Sequence, residues 1–200
     1  MDLPVQFLAQ EMETKFPAQA AQLRHPLTIV TPLHADFLRH YAVYTVLVRS
    51  TGHPLVFYAA AAAGRPAHLL GTDPSCLVQL LHDDGGELET AAQALSYFEL
   101  LVETTRPRRG LTRLLRAASD IPLRENLEGE ALGNARAAIE ALSGVVTPPR
   151  AEMRGRDWEI TAWLARNDGV AEEYFTIGRN GELKQSARKE PLALPLIVVF

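Results

Sequence analysis

His34, Asp36 and His40 form the densest group of ligand-type and acid–base side chains in the sequence. Imidazole and carboxylate together suit a divalent transition metal, but spacings of two and four are permissive, and residues of this kind in a strand-to-strand connection are ordinarily solvated. His82-Asp83-Asp84 runs into Gly85-Gly86; a histidine in the last turn of a helix is favoured by the helix dipole, which predicts a capping role. Cys76 falls in the first turn of an expected helix, where the dipole favours a thiolate nucleophile. Leu77 and Leu80 beside it point instead to a small residue on an apolar face. Arg106, Arg108, Arg109, Arg113 and Arg116 are the main concentration of charge. Guanidinium forks fit phosphate, which makes Arg109, Arg113 and Arg116 anion-contact candidates, on one side of a helix opposite Leu111, Leu114 and Leu115. No aromatic residues interleave with them, so a solvated face, or pairing with Glu99 and Glu103, is the plainer expectation.

The sequence holds no phosphate-cradling loop, dinucleotide fingerprint, nucleophile elbow or His-Glu-x-x-His helix. One cysteine allows no intrachain disulfide and supplies too few thiolates for a cysteine-based metal site. The expectation is therefore no catalytic residue, no metal and no cofactor. The chain has 200 residues, 47% hydrophobic and 22% charged, with a formal net charge of -4. That balance builds a packed core, and the sign of the net charge argues against nucleic acid as a partner and provides no long-range attraction to an anionic membrane. Met1-Asp2-Leu3-Pro4 lacks a secretion signal's basic start, and no stretch reaches the roughly 20 apolar residues of a membrane span. A cytoplasmic location is expected.

The elements that must position these residues follow from periodicity. Leu8, Met12, Phe16, Ala20 and Leu23 recur at steps of three and four, predicting a helix over 4–24 that Pro17 kinks or splits. Strands are predicted at 27–31, 41–49, 55–61 and 68–70, the last three forming an antiparallel meander through the turns at Ser50-Thr51-Gly52-His53 and Gly64-Arg65-Pro66. Helices are predicted at 74–82, 87–104, a short one around Leu111 to Ala118, and one marked by Leu132, Ala135, Ile139 and Leu142 that ends at Gly144. Strands return at 158–166 and 170–177. Asn180-Gly181 is the strongest hairpin signal, a third strand begins at Glu182, and a last apolar strand is expected at 192–200, where Pro195 marks an edge or bulge.

Setting residue 41 against 158 aligns Tyr41 with Trp158, Gly52 with Gly169 and Gly64 with Gly181. Upstream, Ile29-Val30-Thr31-Pro32 matches Val145-Val146-Thr147-Pro148. The order of helix, short strand and meander would then occur twice, as an internal duplication or as two unrelated hairpins obeying the same turn rules. The expected fold class is α+β: two helix-plus-antiparallel-meander units, 1–83 and 145–200, with a helical segment at 84–144 packed on both. This element order resembles cystatin-like and NTF2-like architectures and, less closely, small secretion chaperones; a resemblance of layout transfers no function.

The functional expectation is a non-catalytic binding protein acting on a protein partner or as a homodimer, through a sheet edge or an exposed aromatic. Trp158 and Trp163, an odd number of residues apart, face opposite sides of a regular strand. They are the interface candidates, one for the core and the other for a partner. The alternative is a pocket protein, a small-ligand binder or an NTF2-like enzyme, using a cavity between sheet and helix. His34, Asp36 and His68 would line that cavity, and Ala61, in the alanine run at 59–63, would lie at its floor.

Overall fold

The computed structural model describes residues 3–49, 54–107 and 110–197. The chain divides into two compact units, Met1–Glu87 and Leu88–Phe200. Among the described residues its elements are five α-helices and two antiparallel sheets, an α+β architecture.

In the first unit, α1 (Leu3–Met12) and α2 (Pro17–Leu23) are separated where Pro17 begins a new helix, a position at which its missing N–H costs nothing. The strands β1 (Thr28–Leu33), β2 (Ala42–Val48), β3 (Leu55–Ala61) and β4 (His68–Leu70) pair in sequence order as a meander. The turn residues 50–53 lie outside the described residues. Alternation gives the sheet two different faces. Val46, Val48, Ala59 and Ala61 pack with Leu8, Ala9, Met12, Ala20 and Leu23 of α1 and α2. The opposite face carries Val43, Tyr58, Ala60 and His68. The alanines of β3 thus let two helices approach the backbone closely. The helix α3 (Ser75–Asp84) packs on β4. The Asp73 carboxylate accepts from the Ser75 N–H at 2.9 Å at its start, and Gly85 closes it in the left-handed conformation, φ 73°.

In the second unit, α4 (Ala91–Thr105) packs across β5 (Thr112–Leu115), β6 (Arg150–Arg154) and β7 (Asp157–Arg166). Thr90 and Gln93 cap it reciprocally: the Thr90 hydroxyl accepts from the Gln93 N–H at 3.2 Å, and the Gln93 side chain accepts from the Thr90 N–H at 3.1 Å. Thr90→Ala should therefore cost about 1 kcal/mol, measured as earlier amide exchange in the first turn of α4. β8 (Gly169–Gly178) and β9 (Leu183–Arg188) complete the sheet. Trp158, Ile160 and Leu164 are buried on one face with Phe175 and Ile177, and the Phe98 ring lies 4.8 Å from that of Phe175. On the other face Ala165 and Val170 pack with Leu115, Ile121 and Leu142, the last from α5 (Gly129–Leu142).

Three segments differ from the sequence expectations. The stretch around Leu111 to Ala118 is β5 followed by a 3-10 turn at Ala118–Asp120, not a helix. β7 is ten residues long, and β6 pairs only with Asp157–Thr161; β5 takes the remaining backbone groups, from Trp163 to Arg166. Val145 to Pro148 is not a strand either: two adjacent prolines, Pro148 and Pro149, lack N–H donors, and the ladder starts at Arg150. The expected strand at 192–200 is reduced, among the described residues, to two isolated bridges, Val170↔Leu192 and Leu123↔Leu196. Pro191 and Pro195 remove the donors a continuous ladder needs.

The two meanders share their topology but not their register. The alignment of 41 with 158 would carry the pair Ala42↔Ala61 onto Glu159↔Gly178, whereas Gly178 pairs with Asp157. A shift of two keeps every side chain on its face.

Candidate functional site

The most concentrated polar chemistry in the first unit lies where β4 meets α3. The turn from Ala62 to Ala67, with Gly64 at φ 69° and the Arg65 N–H donating to the Ala62 carbonyl at 3.2 Å, feeds the chain into β4. The register sets His68 opposite Ala60, whose small side chain leaves room for an imidazole. His68 is only 5% exposed. Its Nε2 is 3.2 Å from Asp83 Oδ2, yet it makes no hydrogen bond, because distance alone without alignment is a weak interaction. The Tyr41 ring meets the imidazole edge-on with centroids 5.3 Å apart, and the Tyr41 hydroxyl donates to the Pro66 carbonyl at 3.1 Å.

The end of α3 supplies two carboxylates with different duties. Asp83 Oδ1 accepts from Gln79 Nε2 at 2.7 Å and lies 3.2 Å from His82 Nδ1. Burial pushes the Asp83 carboxyl up, but His82, Gln79 and the charge of His68 together hold it below its ordinary value. The Asp84 side chain is fully buried and accepts the backbone N–H groups of Arg39 at 2.6 Å and His40 at 2.9 Å. Asp84 thereby ties the β1–β2 connection to the helix. Burial drives His68 below the ordinary imidazole value; Asp83 opposes this and Lys15 reinforces it. Imidazole beside carboxylate is the arrangement of a general base, but this imidazole has almost no surface on which to meet a substrate. A nearby open groove is lined by Gln10, Glu11, Thr14, Lys15, Arg65, Pro66 and Ala67.

His34 and Asp36 pair with each other at 2.8 Å on the surface, with side chains 81% and 53% exposed, while His68 pairs with Asp83. Among the described residues no three His, Cys, Asp or Glu side chains converge to hold a metal ion. Ala61 lies in the core against α1 and α2. Trp158 is buried and donates its indole N–H to the Leu88 carbonyl at 2.9 Å; Trp163 is partly buried against the cluster around Leu115 and Ile121. Arg113 and Arg116 occupy β5 and the residue after it rather than a helix face, and Arg116 donates to Glu99 at 2.6 Å. Arg108 and Arg109 lie outside the described residues. No family model matches the chain, and no match is found among curated proteins or solved structures. Among the described residues no helix is long and apolar enough to cross a membrane.

Two features escaped the sequence reading. Asp83 reads there as part of a helix terminus, and only the β3–β4 turn together with the connection from β4 into α3 brings His68 to it. The second is an apolar row. Ile29, Leu47 and Val56 are register partners across β1, β2 and β3, on the face opposite α1 and α2, and Leu27 stands just before β1, its carbonyl accepting from the Arg49 N–H. Leu27 is 53%, Ile29 41% and Val56 43% exposed. The neighbouring edge of β1 is blunted. The Arg49 N–H bonds to the Leu27 carbonyl, so by alternation Thr28, Val30 and Pro32 turn their backbone groups outward. Pro32 has no N–H, and the Thr28 N–H already donates to His25. Val30 remains as the outward donor of β1, too little for an added strand.

Proposed function

We propose that the protein is a non-catalytic interaction protein and that the uncovered apolar row Leu27, Ile29, Leu47 and Val56 pairs with the same row of a second copy. The observation that supports this is the exposure of Ile29 and Val56, in register through the half-buried Leu47 on one sheet face, together with that of Leu27 just before β1. The row carries no charge, so two copies can face each other across a two-fold axis without repulsion. A sheet face also suits such a contact better than the blunted edge of β1. Removing roughly 500 Å² of apolar surface over two copies gains about 12 kcal/mol. Association costs roughly 4–15 kcal/mol, so the net gain is at most about 8 kcal/mol and the dimer is weak, no tighter than about micromolar.

Sedimentation of the full chain across a concentration series tests this. A monomer–dimer equilibrium is expected, weakened about 100-fold or more by Ile29→Asp or Val56→Asp. Both positions are exposed, so the fold should survive the substitution. A strict monomer at the highest concentration, or a dimer indifferent to both substitutions, would overturn the reading.

A second reading, a small-ligand protein, draws on the groove beside α1, where Lys15 and Arg65 line one opening. It predicts a rise in melting temperature with small anionic ligands, lost in Lys15→Gln.

A further inference from the structure

We propose that His68 is an acid-operated latch on β4: with the imidazole neutral the strand lies between β3 and α3, and when the ring takes a proton β4 swings away and bares the edge of β3. This goes beyond self-association and does not depend on it.

The geometry singles out β4 as the part that moves. It is a three-residue edge strand, paired through Tyr58↔Leu70, Ala59↔Leu69 and Ala60↔His68. Short edge strands open at low free energy. Its other partner, α3, is fixed at its last turn, because the buried Asp84 carboxylate holds the N–H groups of Arg39 and His40. Strain created between β4 and α3 is therefore relieved by the strand.

Strain arises because a cation at His68 is poorly served. The buried Nε2 has no hydrogen bond in the neutral state. Asp83 Oδ2 stands 3.2 Å away but out of hydrogen-bonding alignment with Nε2, so the carboxylate offsets the burial of a cation only in part. Asp84 is committed to the 39–40 backbone, and His40 Nδ1 lies 3.3 Å from its carboxylate. From the turn between α1 and α2, Lys15 repels a positive imidazole. Arg65, in the β3–β4 turn, donates to the Asp83 carbonyl at 2.8 Å and adds a second cation to the same end of α3. Tyr41, from the start of β2, presents its ring edge-on. The sum keeps His68 below the ordinary imidazole value, so the folded strand binds fewer protons than the released one. Stability from the neutral ring is present above about pH 6.5 and lost as the pH falls toward the folded-state value. Asp83, held low, keeps its charge through that window and loses it only at more acid pH. His68 is thus the first of the pair to change.

The consequence is a pH-dependent strand edge. Release of β4 frees the backbone groups that Tyr58–Ala60 now share with it, and β3 carries no charged residue in Leu55–Ala61 to repel an incoming strand.

Hydrogen exchange on the full chain tests the latch, with rates normalised to intrinsic exchange at each pH. Between about pH 7.5 and about pH 5, protection of the His68–Leu70 and Tyr58–Ala60 amides should fall roughly tenfold or more. Amides in α3 and those joining β1 to β2 should keep theirs. In His68→Leu, which cannot take a proton, the fall should vanish. Equal loss in the variant, or unchanged β4 protection in the wild type, would overturn the proposal. Should His68→Leu not fold, the wild-type imidazole resonances decide: a His68 titration midpoint below about 6.5 supports the latch, and one at or above it overturns it.

Discussion

Asp84→Ala should lower the stability of the first unit by about 2–4 kcal/mol. The Asp84 side chain is fully buried, and its two oxygens accept the Arg39 and His40 N–H groups, 2.6 and 2.9 Å away. Alanine removes both acceptors, and each N–H then loses a part-buried hydrogen bond to a charged oxygen. Asp84→Asn separates hydrogen bonding from size. One amide oxygen can still accept, while the NH2 group faces a backbone donor, so about half the loss should remain. Both tryptophans, Trp158 and Trp163, belong to the second unit, so indole fluorescence would miss the change. Urea-dependent exchange of the β1–β4 amides is the measurement to make. An Asp84→Ala protein with unchanged protection in that sheet would show that the 39–40 connection is held by something else.

The second large effect is expected at Gly169, at the start of β8. Its φ is +139°, and an added Cβ would overlap the Leu192 carbonyl oxygen and come within 2.8 Å of the carbonyl carbon. These are backbone atoms, which cannot rotate aside. Gly169→Ala should cost about 3 kcal/mol, from the strained dihedral together with loss of the Val170–Leu192 pairing. That pairing consists of two hydrogen bonds, at 3.0 and 2.8 Å. The segment it anchors contributes Leu194, Leu196 and Ile197 to the cluster around Leu115 and Ile121. The expected result is a C-terminal segment that is cleaved by protease before the rest of the unit unfolds, with a shifted tryptophan emission as Trp163 loses cover. Unaltered protease resistance would count against this account.

The second unit also holds charge in its interior. Glu173 is buried and receives two hydrogen bonds from Arg166, at 2.7 and 2.9 Å. Arg188 approaches the same carboxylate to 3.2 Å while donating two bonds to Asp168. The cost of desolvating the buried carboxylate offsets much of the attraction in such a network. It lies at the end of β7 and β8 where β5, β9 and the C-terminal segment meet.

Much of the layout was legible in residue order because local rules and tertiary demands agreed. β3 spans Leu55–Ala61 and β4 His68–Leu70, as their composition and flanking turns predict. Pro17 does split the first helix, and Gly181 does take positive φ, at 85°, in the β8–β9 turn. Agreement failed where a partner distant in sequence made the decision. Leu111, Leu114, Leu115 and Ala118 have helical spacing, yet the unpaired half of β7 drew this stretch into a strand. The site was less legible than the fold. His34 and Asp36, close in sequence, remain a surface pair, while the buried contact of His68 spans fifteen residues and depends on two turns.

Composition, periodicity and punctuation by themselves determined the class of this protein, its helices other than the short one expected at 111–118, and its two antiparallel meanders. Those properties depend on which side chains recur at every second or every third and fourth position. Only the tertiary structure decided that β4 seats a histidine against the end of α3, that β5 completes β7, and that Ile29, Leu47 and Val56 line up on an open face. Each of these is set by strand register and by which backbone groups still need partners, quantities that exist only once the strands have paired.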